Sequence, residues 1–167
     1  MSPVNFDHAD LHSFLFGLVR GWVDEHDLGK VLTEPFQIRF ALEKSRRSPD
    51  IIFVSNRRMS QMKTQHFEGG PDVIFEIISP DSQSRDRREK FLEYQKAGVR
   101  EYWIIDPISE KVEVYALGRD GKFKLIPEKS GKIISKTLAG FYLKPDWLWQ
   151  KKLPKVSVLL REIASKK

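Results

Sequence analysis

From Asp72 to Asp106 the sequence sets two nearly continuous apolar runs, DVIFEII and EYWIID, on either side of a charged stretch, RDRREKFLEYQKA. Apolar runs of that length without strict polar alternation suit strands buried on both faces. A strand, a helix and a second strand form a βαβ unit, with parallel strands and a right-handed crossover. Ser79 and Pro80 end the first strand, Ser82 or Ser84 is placed to cap the helix, and Gly98 to terminate it. The segments around this unit read as meanders and hairpins. The expected fold class is therefore α/β (α+β), a mixed sheet flanked by helices.

Upstream, HADLHSFLFGLVRGWVDEH carries Leu11, Phe14, Leu15, Leu18, Val19 and Trp22 at helical spacing, with Asn5 or Asp7 as N-cap and Gly29 as the stop. VLTEPFQIRF reads as one strand with Pro35 at an edge or bulge, EKSRRSP as a basic turn, and DIIFV as the next strand. Ser55 to Gly70 reads as a long connection. Downstream, KVEVYAL and KFKLIP flank a hairpin at Gly118–Gly121, KIISKTL adds a further strand, and PDWLW forms an aromatic turn on the body.

One residue conflicts with this pattern. Glu76 stands near the centre of the apolar run DVIFEII, where an unpaired buried charge would cost several kcal/mol or more. Strand alternation puts Asp72, Ile74, Glu76 and Ile78 on one face. If DIIFV pairs antiparallel with this strand, Asp50 at the start of one lies opposite Glu76 near the end of the other. Two adjacent carboxylates repel unless a proton or cation lies between them. The chain has no cysteine, so an all-oxygen pair points to a hard cation such as Mg²⁺ or Mn²⁺. On the following helix Asp86, Lys90 and Tyr94 are spaced four apart and share a face, from which Lys90 can point back to Glu76. Such a set could serve metal-assisted hydrolysis. It could equally be structural, with Glu76 paired to Lys90 inside the protein and Asp50 an ordinary turn residue after Pro49.

Asp50 followed by Glu76-Ile77-Ile78 resembles the Asp…Glu-x-Lys core of the PD-(D/E)XK nuclease superfamily, with Ile78 in the lysine position. The longer series PDVIFEIISPDS…RDRREKFLEYQKAGVREYWIIDP closely resembles the Uma family of endonuclease-like proteins, in which the lysine has migrated to the next helix. The resemblance runs from about Ser2 to Trp149. It implies a restriction-endonuclease-like domain over 1–150, with Asp50 and Glu76 as metal ligands, Lys90 as the migrated lysine, Asp86 positioning Lys90, and Mg²⁺ or Mn²⁺ as cofactor. Asp72 is either an auxiliary ligand or a strand-entry turn residue. DNA is the implied substrate, and a homodimer is expected. Family members usually carry an N-terminal strand or hairpin ahead of the Ser-Pro segment that here follows Met1, so Met1 is expected to be either an internal methionine taken as the start or the mark of a shortened member.

Other features carry less. The 167 residues hold a net charge of +6, of which +5 lies in a basic amphipathic tail, 151–167. The body is therefore close to neutral, and overall basicity says little about its ligand. His8 and His12 stand one helical turn apart, but the zinc-protease glutamate is replaced by Ala9. Glu34, before Pro35, could approach a metal from the neighbouring strand but reads better as a solvent-facing edge residue. Ser79 lacks the Gly-x-Ser-x-Gly surroundings of a nucleophile. Tyr102, Trp103, Trp147 and Trp149 read as packing residues rather than base-stacking platforms. Arg46, Arg47, Arg57 and Arg58 flank DIIFV and are candidates for phosphate contacts near Asp50. No apolar run could span a bilayer and no secretory leader is visible, so the cytoplasm is the expected compartment. Two functional classes follow: a metal-dependent endonuclease, or a catalytically silent nucleic-acid-binding or assembly module on a nuclease-like scaffold.

Overall fold

The computed structural model describes residues 5–40, 45–80 and 84–165. Helix α1, Phe6–Glu25, opens on Asn5, whose side chain accepts the His8 N–H at 2.8 Å. Loss of that cap in Asn5→Ala should cost about 1 kcal/mol by chemical denaturation. Every apolar position singled out on the helix is buried. The helix ends at His26, and Asp27 takes the left-handed turn at φ 49°. Gly29 is not its stop. It begins strand β1, Gly29–Thr33, where an added Cβ would lie 2.0 Å from the Val54 carbonyl oxygen.

Strand β1 does not continue through Pro35 as expected. Proline has no N–H for a ladder, the chain turns with Phe36 N–H bonded to the Thr33 carbonyl, and β2, Gln37–Phe40, joins a different sheet. There β2 pairs antiparallel with β3, Ser45–Arg47, and parallel with β5, His66–Glu68. The supposed basic turn is thus partly strand; its first two residues, 43 and 44, lie outside the described residues. The long connection after β4, Ile51–Ser55, likewise holds a 3₁₀ turn, Asn56–Gln61, before β5.

Among the described residues the main sheet has six strands, in the order β1, β4, β6 (Val73–Ile77), β7 (Glu101–Asp106), β8 (Lys111–Leu117) and β9 (Phe123–Leu125). Strand β6, Val73–Ile77, runs parallel to β7, Glu101–Asp106, and the expected crossover helix between them is α2, Ser84–Lys96. The alternative cap Ser82 lies outside the described residues, and Gly98, at φ 76°, follows the helix end. Strands β8, Lys111–Leu117, and β9, Phe123–Leu125, form the expected hairpin about Gly118 and Gly121. Strands β10, Ile133–Ile134, and β11, Tyr142–Leu143, pair separately.

Alternation along β6 divides the core. Val73, Phe75 and Ile77 pack with α1 and the C-terminal segments, while Ile74 packs with Tyr94 and Val99 around α2, and with Ile38 and Phe67 of the small sheet. The basic tail is docked rather than free. Its helix α3, Val156–Ser165, buries Leu159 and Ile163 in the first cluster. Gly17 and Gly21 of α1 leave room for it, since a Cβ at Gly21 would lie 2.7 Å from Leu160 Cδ1. Among the described residues no helix is long and apolar enough to cross a membrane.

Candidate active site

Strands β4 and β6 pair antiparallel with Ile51 opposite Phe75, so one step further Asp50 faces Glu76. This is the juxtaposition expected from the two apolar runs. Asp50 is fixed at three points. Its Oδ2 accepts the Ile77 N–H at 2.6 Å, its carbonyl oxygen lies 3.1 Å from His12 Nε2, and the same oxygen accepts the Glu34 N–H at 3.4 Å. Buried Pro49 precedes it and half-buried Asp50 itself edges a cavity of about 270 Å³.

Glu76 is 7% exposed and faces α2. Tyr94 donates its hydroxyl to Glu76 Oε1 at 2.7 Å, and Lys90 Nζ lies 3.3 Å from Oε2. The second distance exceeds the about 2.7–2.9 Å of a tight charge-assisted bond, so Lys90 acts mainly through its charge. Burial pushes the Glu76 carboxyl up to about 7; the Asp50 charge adds to the rise, while Lys90 and Tyr94 oppose it. Burial alone would lower Lys90, but Glu76 and then Asp86 outweigh it and hold the ammonium above its usual value. Burial and the neighbouring Glu76 also push the Tyr94 phenol well up, so it remains a donor.

The helix face that carries Lys90 is itself anchored. Asp86 lies 3.6 Å from Lys90 Nζ and 3.7 Å from Arg47 Nη1, and Arg47 grips Glu93 with two bonds of 2.7 and 2.9 Å. Strand β3 is thereby tied to α2 across the site. Glu34, Ser48 and Arg87 also line the cavity, and Arg87 is paired with Glu113.

Asp72 is not brought to this cavity. It lies at the opposite end of β6, only 1% exposed, where Oδ2 accepts the Ser55 N–H at 2.7 Å and Oδ1 faces Arg58 and Arg100 at 3.7 and 3.5 Å. Arg57 and Arg58 follow the far end of β4, about 16 Å of strand away from Asp50. His8 borders the cavity and His12 supports the Asp50 peptide. Tyr102, Trp103 and Trp147 are buried in the core. Two contributors stand outside the expected set of ligands, lysine and supporting carboxylates: Tyr94, one turn beyond Lys90, bonds Glu76, and His12 bonds the Asp50 carbonyl. The i, i+4 spacing from Lys90 is a signal for the first; nothing local announces the second.

The donor set fits a hard divalent cation. Two carboxylates from adjacent strands meet at a cavity wall, and among the described residues no third His, Asp or Glu completes a protein cage. Mg²⁺ is commonly held in this way, by one or two carboxylates with waters and substrate phosphate filling the rest.

The mixed sheet, flanked by helices, sets a carboxylate pair opposite a lysine of the crossover helix. A solved structure described as "a putative nuclease belonging to DUF820 from Anabaena variabilis" superimposes with a TM-score of 0.73 at 21% identity, covering 88% of this chain and 82% of that one. At that identity the likeness establishes the fold. No curated protein matches the chain. The model of the Uma2 family, described as "Putative restriction endonuclease", matches residues 1–150, and the chain belongs to that family.

Proposed function

We propose that the protein is a metal-dependent endonuclease that hydrolyses phosphodiester bonds in DNA. The observation that carries this reading is the placement of Asp50 opposite Glu76, with Lys90 Nζ 3.3 Å from Glu76, at the wall of one cavity. Asp50 and Glu76 would hold Mg²⁺ or Mn²⁺, which when bound supplies positive charge at the scissile phosphate and makes water more acidic. The Ile77 N–H keeps the Asp50 carboxylate turned to the site, and Tyr94 keeps Glu76 from rotating away. Lys90, held charged by Glu76 and Asp86, orients the attacking water and offsets charge developing on the phosphoryl oxygens. Asp86 positions Lys90 from the preceding helical turn.

The test is plasmid and oligonucleotide cleavage with Mg²⁺ or Mn²⁺, before and after chelation. Hydrolysis should vanish in EDTA and return with added metal. Persistent cleavage in EDTA, or a folded wild type that cuts no DNA with either metal, would sink the proposal. Lys90→Gln should lower kcat by about 10²-fold or more, read in single-turnover cleavage, while Mn²⁺ binding followed by calorimetry persists. Loss of metal binding in that variant would instead assign Lys90 to maintaining the carboxylate pair.

A further inference from the structure

Four arginines flank β4 in the sequence, and the structure separates them. Arg47 is committed to Glu93 and Asp86, Arg58 faces Asp72 at the far end of the strand, and Arg57 follows that same far end. Arg46 alone remains on the Asp50 side without an ion pair among the described residues. It does not stand alone on its surface. Strands β2 and β3 pair with Arg39 directly opposite Arg46, and both side chains are exposed.

Like charges placed directly opposite on antiparallel strands repel and weaken the pairing. Among the described residues neither arginine has an ion pair to relieve this. Glu68, level with Arg39 on the other neighbouring strand, is bonded instead to His66 Nε2 at 2.9 Å. Ile38 and Phe40 of β2 meet the core and Arg47 of β3 is bonded to Glu93, so both strands are held without the two arginines.

The pair also leads to the cavity. Ser48, just past the end of β3 and two residues beyond Arg46, lines its wall, and Asp50 follows two residues later. Four residues of extended chain span at most about 14 Å, which is about four nucleotides of backbone rise at 3.4 Å each. The cavity itself is lined by Glu34, Asp50, Glu76 and Asp86, whereas its lysine and arginine are engaged with carboxylates. A polyanion approaching this acidic mouth needs unengaged positive charge beside it.

We propose that Arg39 and Arg46 form a two-pronged contact for the phosphate backbone of the nucleic acid strand that runs past the Asp50–Glu76 cavity. The inference rests on reading that cavity as a phosphodiester site. The arginines bind charge rather than sequence, so the contact positions the strand without selecting bases.

The experiment is fluorescence anisotropy with a labelled DNA duplex in EDTA, across a series of salt concentrations. The proteins are the wild type, Arg39→Gln/Arg46→Gln, Arg39→Lys/Arg46→Lys, and a tail control, Lys151→Gln/Lys152→Gln. Two lost phosphate contacts should lower the slope of log K against log salt by about 1.8 and weaken binding at least about tenfold near 0.1 M salt. The lysine pair should keep the slope, and the tail control should match the wild type. The glutamine pair should melt no lower than the wild type, because a repulsion has been removed. A slope unchanged by the glutamine pair, a loss confined to the tail variant, or a wild type that does not bind the duplex would each overturn the proposal. Metal is absent, so binding is separate from turnover. An arginine-dependent slope in a protein that never cleaves would support this contact while overturning the nuclease reading.

Discussion

Replacing Glu76 by glutamine is expected to abolish Mn²⁺ binding and DNA cleavage while making the metal-free protein more stable above neutral pH. The two effects share one cause. Burial raises the Glu76 carboxyl from 4.5 to about 7, with Asp50 adding to the rise. A group whose folded-state pKa lies above its unfolded value contributes stability that is full below about 4.5 and is lost as the pH rises through about 7. The ionised form is therefore the costly one, by about 3 kcal/mol in a shift of that size. Glutamine keeps the neutral shape at every pH. Denaturation in EDTA should show the variant's advantage growing from pH 5 to pH 8, which a variant without advantage at pH 8 would refute. Metal binding requires the same carboxylate ionised. Mn²⁺ should thus raise the melting temperature of the wild type more at pH 8 than at pH 6, and should leave Glu76→Gln unmoved. Asp50→Ala should also lose cleavage by at least about 10²-fold, in a protein that still folds.

Glu101→Ala should show the opposite profile, a loss of stability of about 3–5 kcal/mol from donors left without their acceptor at about 1–3 kcal/mol each. Glu101 is 0% exposed at the start of β7. Its Oε1 accepts the Trp103 indole N–H and the Ser135 hydroxyl, each at 2.7 Å, and its Oε2 accepts the N–H groups of Lys136 and Thr137 at 2.8 and 3.0 Å. The carboxylate fastens the turn before β11 to the main sheet. Alanine leaves the buried Trp103 and Ser135 donors and the part-buried Lys136 N–H without this acceptor, and each costs about 1–3 kcal/mol when buried and unsatisfied. Urea unfolding is the readout, and a loss below about 1 kcal/mol would overturn this account. Together the two variants separate a carboxylate proposed for chemistry from one that holds the architecture. Both are buried glutamates on neighbouring strands, and they differ in what surrounds them. Glu101 is enclosed by four donors, whereas Glu76 borders a cavity.

Much of the site was legible because its parts are local or follow from strand pairing. The apolar run around Glu76 could only be a buried strand. Antiparallel pairing with DIIFV then placed Asp50 opposite it, and i, i+4 spacing put Asp86, Lys90 and Tyr94 on one helix face. The resemblance to the Uma family rested on these same residues. Other features depended on contacts distant in sequence. Pro35 marked a break, but not that the chain would leave one sheet for another. The basic tail shows its charge and amphipathic pattern in sequence, but not where it docks: Leu159 and Ile163 enter the core and the helix lies beside Gly17 and Gly21.

The sequence by itself determined the βαβ unit, the carboxylate pair and the lysine, since periodicity and register act over a few residues. Only the tertiary structure decided what each charge does. It turned Arg47 to Glu93, closed Asp72 against Ser55, surrounded Glu101 with donors and left Arg39 and Arg46 side by side on the surface. The physical reason is that a charge is defined by its partners and its access to water, and both are set by residues brought together only when the chain folds.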